Sequence, residues 1–98
     1  MKKIDKETLS KAIAAIGMYT DNQSKVLCEL VDSAVGNIVY TPVVKINQKT
    51  GVSRPSIYTA LNKFMIDGVI QQDRQQKGVF IINQEKIDFI IKSYKKQI

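Results

Sequence analysis

The sequence contains no histidine and no tryptophan, and it has a single cysteine, Cys28. Without histidine it lacks the commonest general base and the commonest metal ligand. One cysteine and no histidine cannot assemble a zinc site of the usual kind within one chain, so no metal and no cofactor is expected. A lone cysteine makes no intrachain disulfide, which fits a reducing compartment. Cys28 reads as a small buried apolar residue rather than a redox sensor. Long apolar runs are missing too, so no membrane span is expected. Met1-Lys2-Lys3-Ile4-Asp5 lacks the apolar stretch of a signal peptide, and a cytoplasmic location is the expectation. No nucleophile–base pair, phosphate-cradling glycine loop or carboxylate pair stands out, so the chain is not expected to be an enzyme. Asp67 and Asp73 read as capping and turn residues.

What is present is one domain's worth of chain: 98 residues, 44% apolar, net charge +6. Residues 1–40 hold five basic and five acidic side chains. Residues 41–98 hold ten and four, which accounts for the whole excess. A basic surface confined to one part of the chain suits a polyanion, with nucleic acid first and anionic membrane second. The plain alternative is a solvated face that serves solubility.

Periodicity predicts five helices. Leu9, Ala12, Ile13 and Ile16 share one face of a helix over 5–18, weakened at Gly17. Thr20 and Gln23 match a capping box ahead of the Val26, Leu27, Leu30, Val31, Ala34 stripe, which Gly36-Asn37 should stop. Ile38-Val39-Tyr40 reads as a short strand. Thr41 should cap a short third helix with Pro42 in its first position. Its apolar side is Val43, Val44 and Ile46, and Gly51 ends it. Ser53 should cap a fourth helix, with Pro55 in the first turn and Ile57, Ala60, Leu61, Phe64 and Met65 as its apolar face. Asp67-Gly68 ends that helix. Strands over 69–73 and 79–83 flank Arg74-Gln75-Gln76-Lys77-Gly78 as a hairpin. A last helix over 84–96 aligns Ile87, Ile90, Ile91, Tyr94 and Ile98.

Two short helices joined by a tight glycine turn and followed by a hairpin describe a helix-turn-helix with a wing. The stretch from Thr41 to Asn83 resembles the winged helix-turn-helix family of bacterial DNA-binding proteins at Gly51, Val52, Ser53, Ser56, Ile57, Leu61, Phe64, Gly68, Val69 and Ile70. The segment from Gly78 to Glu85 is similar to the end of the winged unit in small plasmid replication proteins. Three positions depart from the pattern. Asn47 and Thr50 stand where the family carries Ala and Leu, so either the turn angle differs or Asn47 hydrogen-bonds at the junction. Pro55 is unusual so early in a recognition helix.

The fold class the resemblance implies is mainly α with a small β-hairpin, as a single domain over 1–98. Residues 20–83 would form the winged-helix core, and the helices over 5–18 and 84–96 would flank it. Those flanking helices each carry an apolar face that needs a cover, either in the same chain or, as the favoured expectation, in a homodimer. The implied function is sequence-specific binding of double-stranded DNA, as a transcriptional regulator acting by occupancy. Binding of a plasmid or phage replication origin, or use of the winged fold as a protein–protein module, are the alternatives.

The family docks its fourth helix in the major groove. Arg54, Ser56, Tyr58 and Thr59 would then meet base edges, with Arg54 the best candidate for guanine. Ser53 caps that helix and Asn62 shares its outward face. Lys49 and Lys63 would reach phosphates, and Arg74 and Lys77 would touch the backbone or minor groove from the wing. Tyr58 could instead pack beside the wing, and Lys45 and Lys49 could be ordinary solvated lysines. Lys92, Lys95 and Lys96 could touch flanking phosphates or nothing.

Overall fold

A computed structural model describes residues 6–96. The central element is α2 (Asp21–Ser33), and its start is fixed locally. Thr20 Oγ1 accepts from the Gln23 N–H at 3.2 Å, and Gln23 Oε1 accepts from the Thr20 N–H at 3.1 Å. Both orphan donors of the first turn are thereby satisfied, as the capping-box spacing predicts. Neighbours surround α2: α1 (Lys6–Ile16), α3 (Val43–Thr50), α4 (Arg54–Ile66) and β1 (Ile38–Val39) all pack on it. Six consecutive residues, Val26 to Val31, are consequently buried. That is more than one stripe of an amphipathic helix would bury. The run includes Cys28 and a glutamate, Glu29.

After α2 the chain differs from expectation. The helix ends at Ser33, and Ala34 is its extended C-cap. Gly36-Asn37 does not stop the helix. It forms the two-residue turn of a bridge in which Val35 and Ile38 exchange hydrogen bonds of 2.9 and 3.1 Å. Thr41 does not cap α3 either: Pro42 is the N-cap. The Pro42 carbonyl accepts from the N–H groups of Lys45 and Ile46. A cap needs no N–H inside the helix, so proline's missing donor costs nothing there.

The three strands form an antiparallel sheet of order β1-β3-β2, with β2 at Ile70–Gln72 and β3 at Phe80–Ile82. Ile38 faces Ile81 on one side of β3, and Ile70 faces Ile82 on the other. The strands are shorter than the apolar runs suggest. Val69 belongs instead to the exit turn of α4, where its N–H reaches the Phe64 carbonyl at 2.9 Å. Asn83 then caps α5 (Gln84–Lys95), accepting from the Lys86 N–H while its own amide donates to the Gly68 carbonyl.

The protein is thus mainly helical, with a small three-stranded sheet. The largest fully buried side chains are Phe64, Leu9, Ile13, Leu27, Leu30, Ile46, Ile57, Ile82 and Ile87. They come from every helix and from β3. The flanking helices α1 and α5 pack on each other, burying Leu9, Ala12, Ile13, Ile87 and Ile90 within one chain. The apolar faces that motivated a homodimer are therefore already covered, and that motive falls away. The first-helix position Asp5 and the last-helix position Ile98 lie outside the described residues. No helix among the described residues is long and apolar enough to cross a membrane.

Candidate nucleic-acid interface

Three residues, Gly51, Val52 and Ser53, separate α3 from α4. Gly51 is left-handed at φ 74° and donates its N–H to the Asn47 carbonyl at 2.9 Å. Only glycine takes that conformation without a steric cost. Val52 is buried between the helices. The two unusual polar residues close the turn. Asn47 Nδ2 donates to the Val52 carbonyl at 2.8 Å. Thr50 Oγ1 donates to the Ile46 carbonyl at 2.6 Å and accepts from the Val52 N–H at 3.2 Å. Both polar groups of the buried Val52 backbone thereby have side-chain partners, where an alanine and a leucine would leave them to other groups.

Ser53 caps α4, accepting from the Ser56 N–H at 3.4 Å and donating to Ser56 Oγ at 2.9 Å. Behind the helix Ile57, Ala60, Leu61 and Phe64 are buried, and the Tyr19 ring meets Phe64 edge-on at 5.0 Å. In front, Ser53, Arg54, Tyr58, Thr59, Asn62 and Lys63 are exposed and Ser56 is half-buried. Tyr58 is 59% exposed, so it is not packed away against the hairpin.

The structure distributes these residues over distinct places. Arg54, Tyr58 and Asn62, spaced i, i+4, i+8, form one bank of a groove of about 670 Å³. Lys77, Gly78 and Gln72 of the hairpin line the same groove, and Val44, Leu61 and Phe80 are among its apolar lining. Pro55, Ser56 and Thr59 also border a smaller hollow with Thr20, beside the start of α2. The hairpin loop is shaped locally: the Asp73 N–H donates to the Val79 carbonyl at 2.8 Å, and Asp73 Oδ1 accepts from the Gln75 N–H. Arg74 is exposed on this loop but does not line the groove.

The two lysines expected on phosphates are both held by carboxylates. Lys63 Nζ lies 3.4 Å from Asp67 Oδ1, and Asp67 Oδ2 also accepts from the Tyr19 hydroxyl at 2.8 Å. Burial, that hydrogen bond and the Asp67 charge together push the Tyr19 phenol well above its ordinary value. Lys49 Nζ lies 3.4 Å from Glu29 Oε2, on the side of the molecule that carries Lys6, Lys25 and Cys28. Glu29 is the one buried charged side chain among the described residues, and Lys6 holds its other oxygen at 3.3 Å. Burial raises the Cys28 thiol, against the opposing effects of a Ser24 hydrogen bond and the Lys6 charge. Such a thiol is poorly reactive.

Sequence reasoning missed Glu29 and Ile66. A charge inside the apolar run Val-Leu-Cys-Glu-Leu-Val was the available signal for the first. Ile66 is 81% exposed. It stands four residues after Asn62, and helical spacing alone puts it on the outward face. Among the described residues no group of three His, Cys, Asp or Glu could hold a metal ion.

No family model matches the sequence, and no solved structure matches it. The chain is similar to glutamyl-tRNA reductase of Carboxydothermus hydrogenoformans, 22% identical over 73 residues. That stretch is 74% of this chain and 16% of the reductase, so the chain spans about a sixth of the relative it matches.

Proposed function

We propose that this chain is a winged helix-turn-helix protein that binds double-stranded DNA, with α4 entering the major groove and the β2–β3 loop lying against the backbone. The observation that carries the proposal is the outward face of α4. Arg54, Tyr58, Thr59, Asn62 and Lys63 are all exposed on a helix whose other side is anchored in the core, beside a loop that presents Arg74 and Lys77. A rigid helix with a polar crest, a tight turn before it and a cationic loop beside it suits a wide groove edged by phosphates. The ten-to-four excess of basic residues over 41–98 supports the same partner. The role is occupancy of a DNA site, as a transcriptional regulator, with binding and no chemistry.

Salt titration of duplex binding tests this. If phosphates are contacted, log affinity falls linearly with log salt, with a slope of about −0.9 for each one. Absence of binding to any duplex at low salt would defeat the proposal and favour a protein-interaction role for the same surface.

A further inference from the structure

Given the duplex-binding reading, we infer that Asn62 reads an adenine in the major groove, and that Arg54, the residue best suited on chemical grounds to read guanine, grips phosphate instead. The division follows from how α4 is rotated. Its buried side is Ile57, Ala60, Leu61 and Phe64. At 100° per residue, the line opposite that face passes through Pro55, Thr59, Asn62 and Ile66. These four form the crest that reaches deepest into a groove, and all four are exposed. Arg54 and Tyr58 lie to one side of it, turned toward the hairpin, and Asn62, on their side of the crest line, borders the same groove from its outer edge.

Arg54 of α4 and Lys77 of the hairpin line one groove, with Tyr58 beside them. Two cations from different elements in one groove fit a strand's phosphates. A guanidinium there approaches the backbone from the flank and does not meet a base edge in line. The turn that carries Arg54 also makes a weak phosphate cradle by itself. Pro55 has no N–H, and the N–H groups of Ser56 and Ile57 are spent on Ser53. That leaves the Arg54 N–H and guanidinium as the donors for a phosphate in this first turn.

On the crest, the chemistry favours an A·T pair. The Asn62 amide has no hydrogen-bond partner among the described residues, so its paired donor and acceptor are open. That pair matches the N6 amino group and N7 of adenine. Thr59, three residues before it on the same face, already gives its hydroxyl proton to the Pro55 carbonyl at 3.0 Å. It is left with an acceptor and a methyl group, and a methyl packs on the C5-methyl of thymine. The Ile66 side chain offers only apolar contact to the same groove.

The test selects bound sequences from a random duplex pool with the wild type and with Asn62→Ala, Asn62→Asp, Arg54→Ala and Lys77→Ala. Matched thermal unfolding confirms that these exposed changes leave the fold intact. The wild type should prefer A·T at one position at least, and replacing that pair should weaken its binding by about five- to 150-fold. Asn62→Ala should lose that preference, and Asn62→Asp should move it toward C·G, because a carboxylate accepts from cytosine N4. Arg54→Ala and Lys77→Ala should keep the selected sequence and shallow the salt slope by about 0.9 each. The inference is overturned if Asn62→Ala selects the wild-type sequence, or if Arg54→Ala erases a G·C preference. Failure of the wild type to bind any duplex at low salt would instead remove the duplex-binding reading on which it rests.

Discussion

The Asn47 amide and the Val52 carbonyl meet at 2.8 Å across the turn between α3 and α4. The bond joins the last full turn of one helix to the residue buried beneath the start of the next. With Thr50 on the Val52 N–H, it fixes the angle at which α4 leaves α3. Asn47→Ala should therefore cost about 1–2 kcal/mol of stability, because the buried carbonyl loses its partner. Thr50→Val keeps the shape and orphans the Val52 N–H, for a similar loss of about 1–3 kcal/mol. Denaturant unfolding measures both. A loss below about 0.3 kcal/mol in each variant would mean water substitutes freely at the turn.

Gly51 offers a cleaner test of backbone strain. A Cβ placed there meets no atom within 4 Å, so any cost is conformational and not a clash. Left-handed backbone costs an ordinary L-residue about 1–2 kcal/mol. Gly51→Ala should lose about 1 kcal/mol after the gain from a stiffer unfolded chain. Gly51→Val should lose more, and Gly51→Asn least, since asparagine tolerates this region. A different ranking in urea midpoints would point to a rearranged turn.

Tyr19 predicts a pH dependence. Its phenol is held protonated in the fold by burial and by Asp67. In the unfolded chain it ionises near its ordinary value of about 10. Above that pH the folded state binds more protons than the unfolded one, so stability declines as pH rises. Tyr19→Phe should cost about 1–2 kcal/mol near neutrality. The deficit should hold below about pH 10 and shrink as pH rises beyond it, as the wild type loses its advantage. A deficit that stays constant above that pH would show that the hydroxyl does not couple to ionisation.

Glu29 and its two lysines predict an asymmetry. Lys6 and Lys49 are half-exposed, whereas the Glu29 side chain is 3% exposed. Removing the carboxylate by Glu29→Gln leaves two solvated lysines and a neutral buried amide. Removing both lysines to Ala strands a buried negative charge. That double change should cost more, at the low end of about 3–5 kcal/mol because solvent screens half of each pair. Comparing the two in thermal unfolding checks it. If Glu29→Gln proved the more damaging, the carboxylate would be acting through hydrogen bonds that glutamine cannot replace.

The features legible in the sequence were the local ones. Ile57, Leu61 and Phe64 announce α4 through spacing alone. Thr20 and Gln23 announce a helix start, because both partners lie within three residues. Gly51 announces a left-handed turn, because few other residues can occupy one. Pro42 displaced Thr41 as a cap by a local competition, because the Pro42 carbonyl and not the threonine hydroxyl accepts from the first turn of α3. Less legible was everything set by a distant partner. The place of Glu29 was not legible because its partners Lys6 and Lys49 stand far from it in the chain. Of the candidate site residues, exposure followed from periodicity. The grouping of Arg54 with Lys77, and the tethering of Lys49 and Lys63, depended on where the hairpin and α2 came to rest.

The mutual cover of α1 and α5 bears on how the chain is made. Of these two helices, α1 is synthesised before α5 and lacks this partner until α5 follows. Until then the part of its Leu9, Ala12 and Ile13 face that α5 covers stays wet, and so it would in a product lacking α5. Early-synthesised and late-synthesised segments should therefore protect their amide protons together, opening in a single step when the clasp is released.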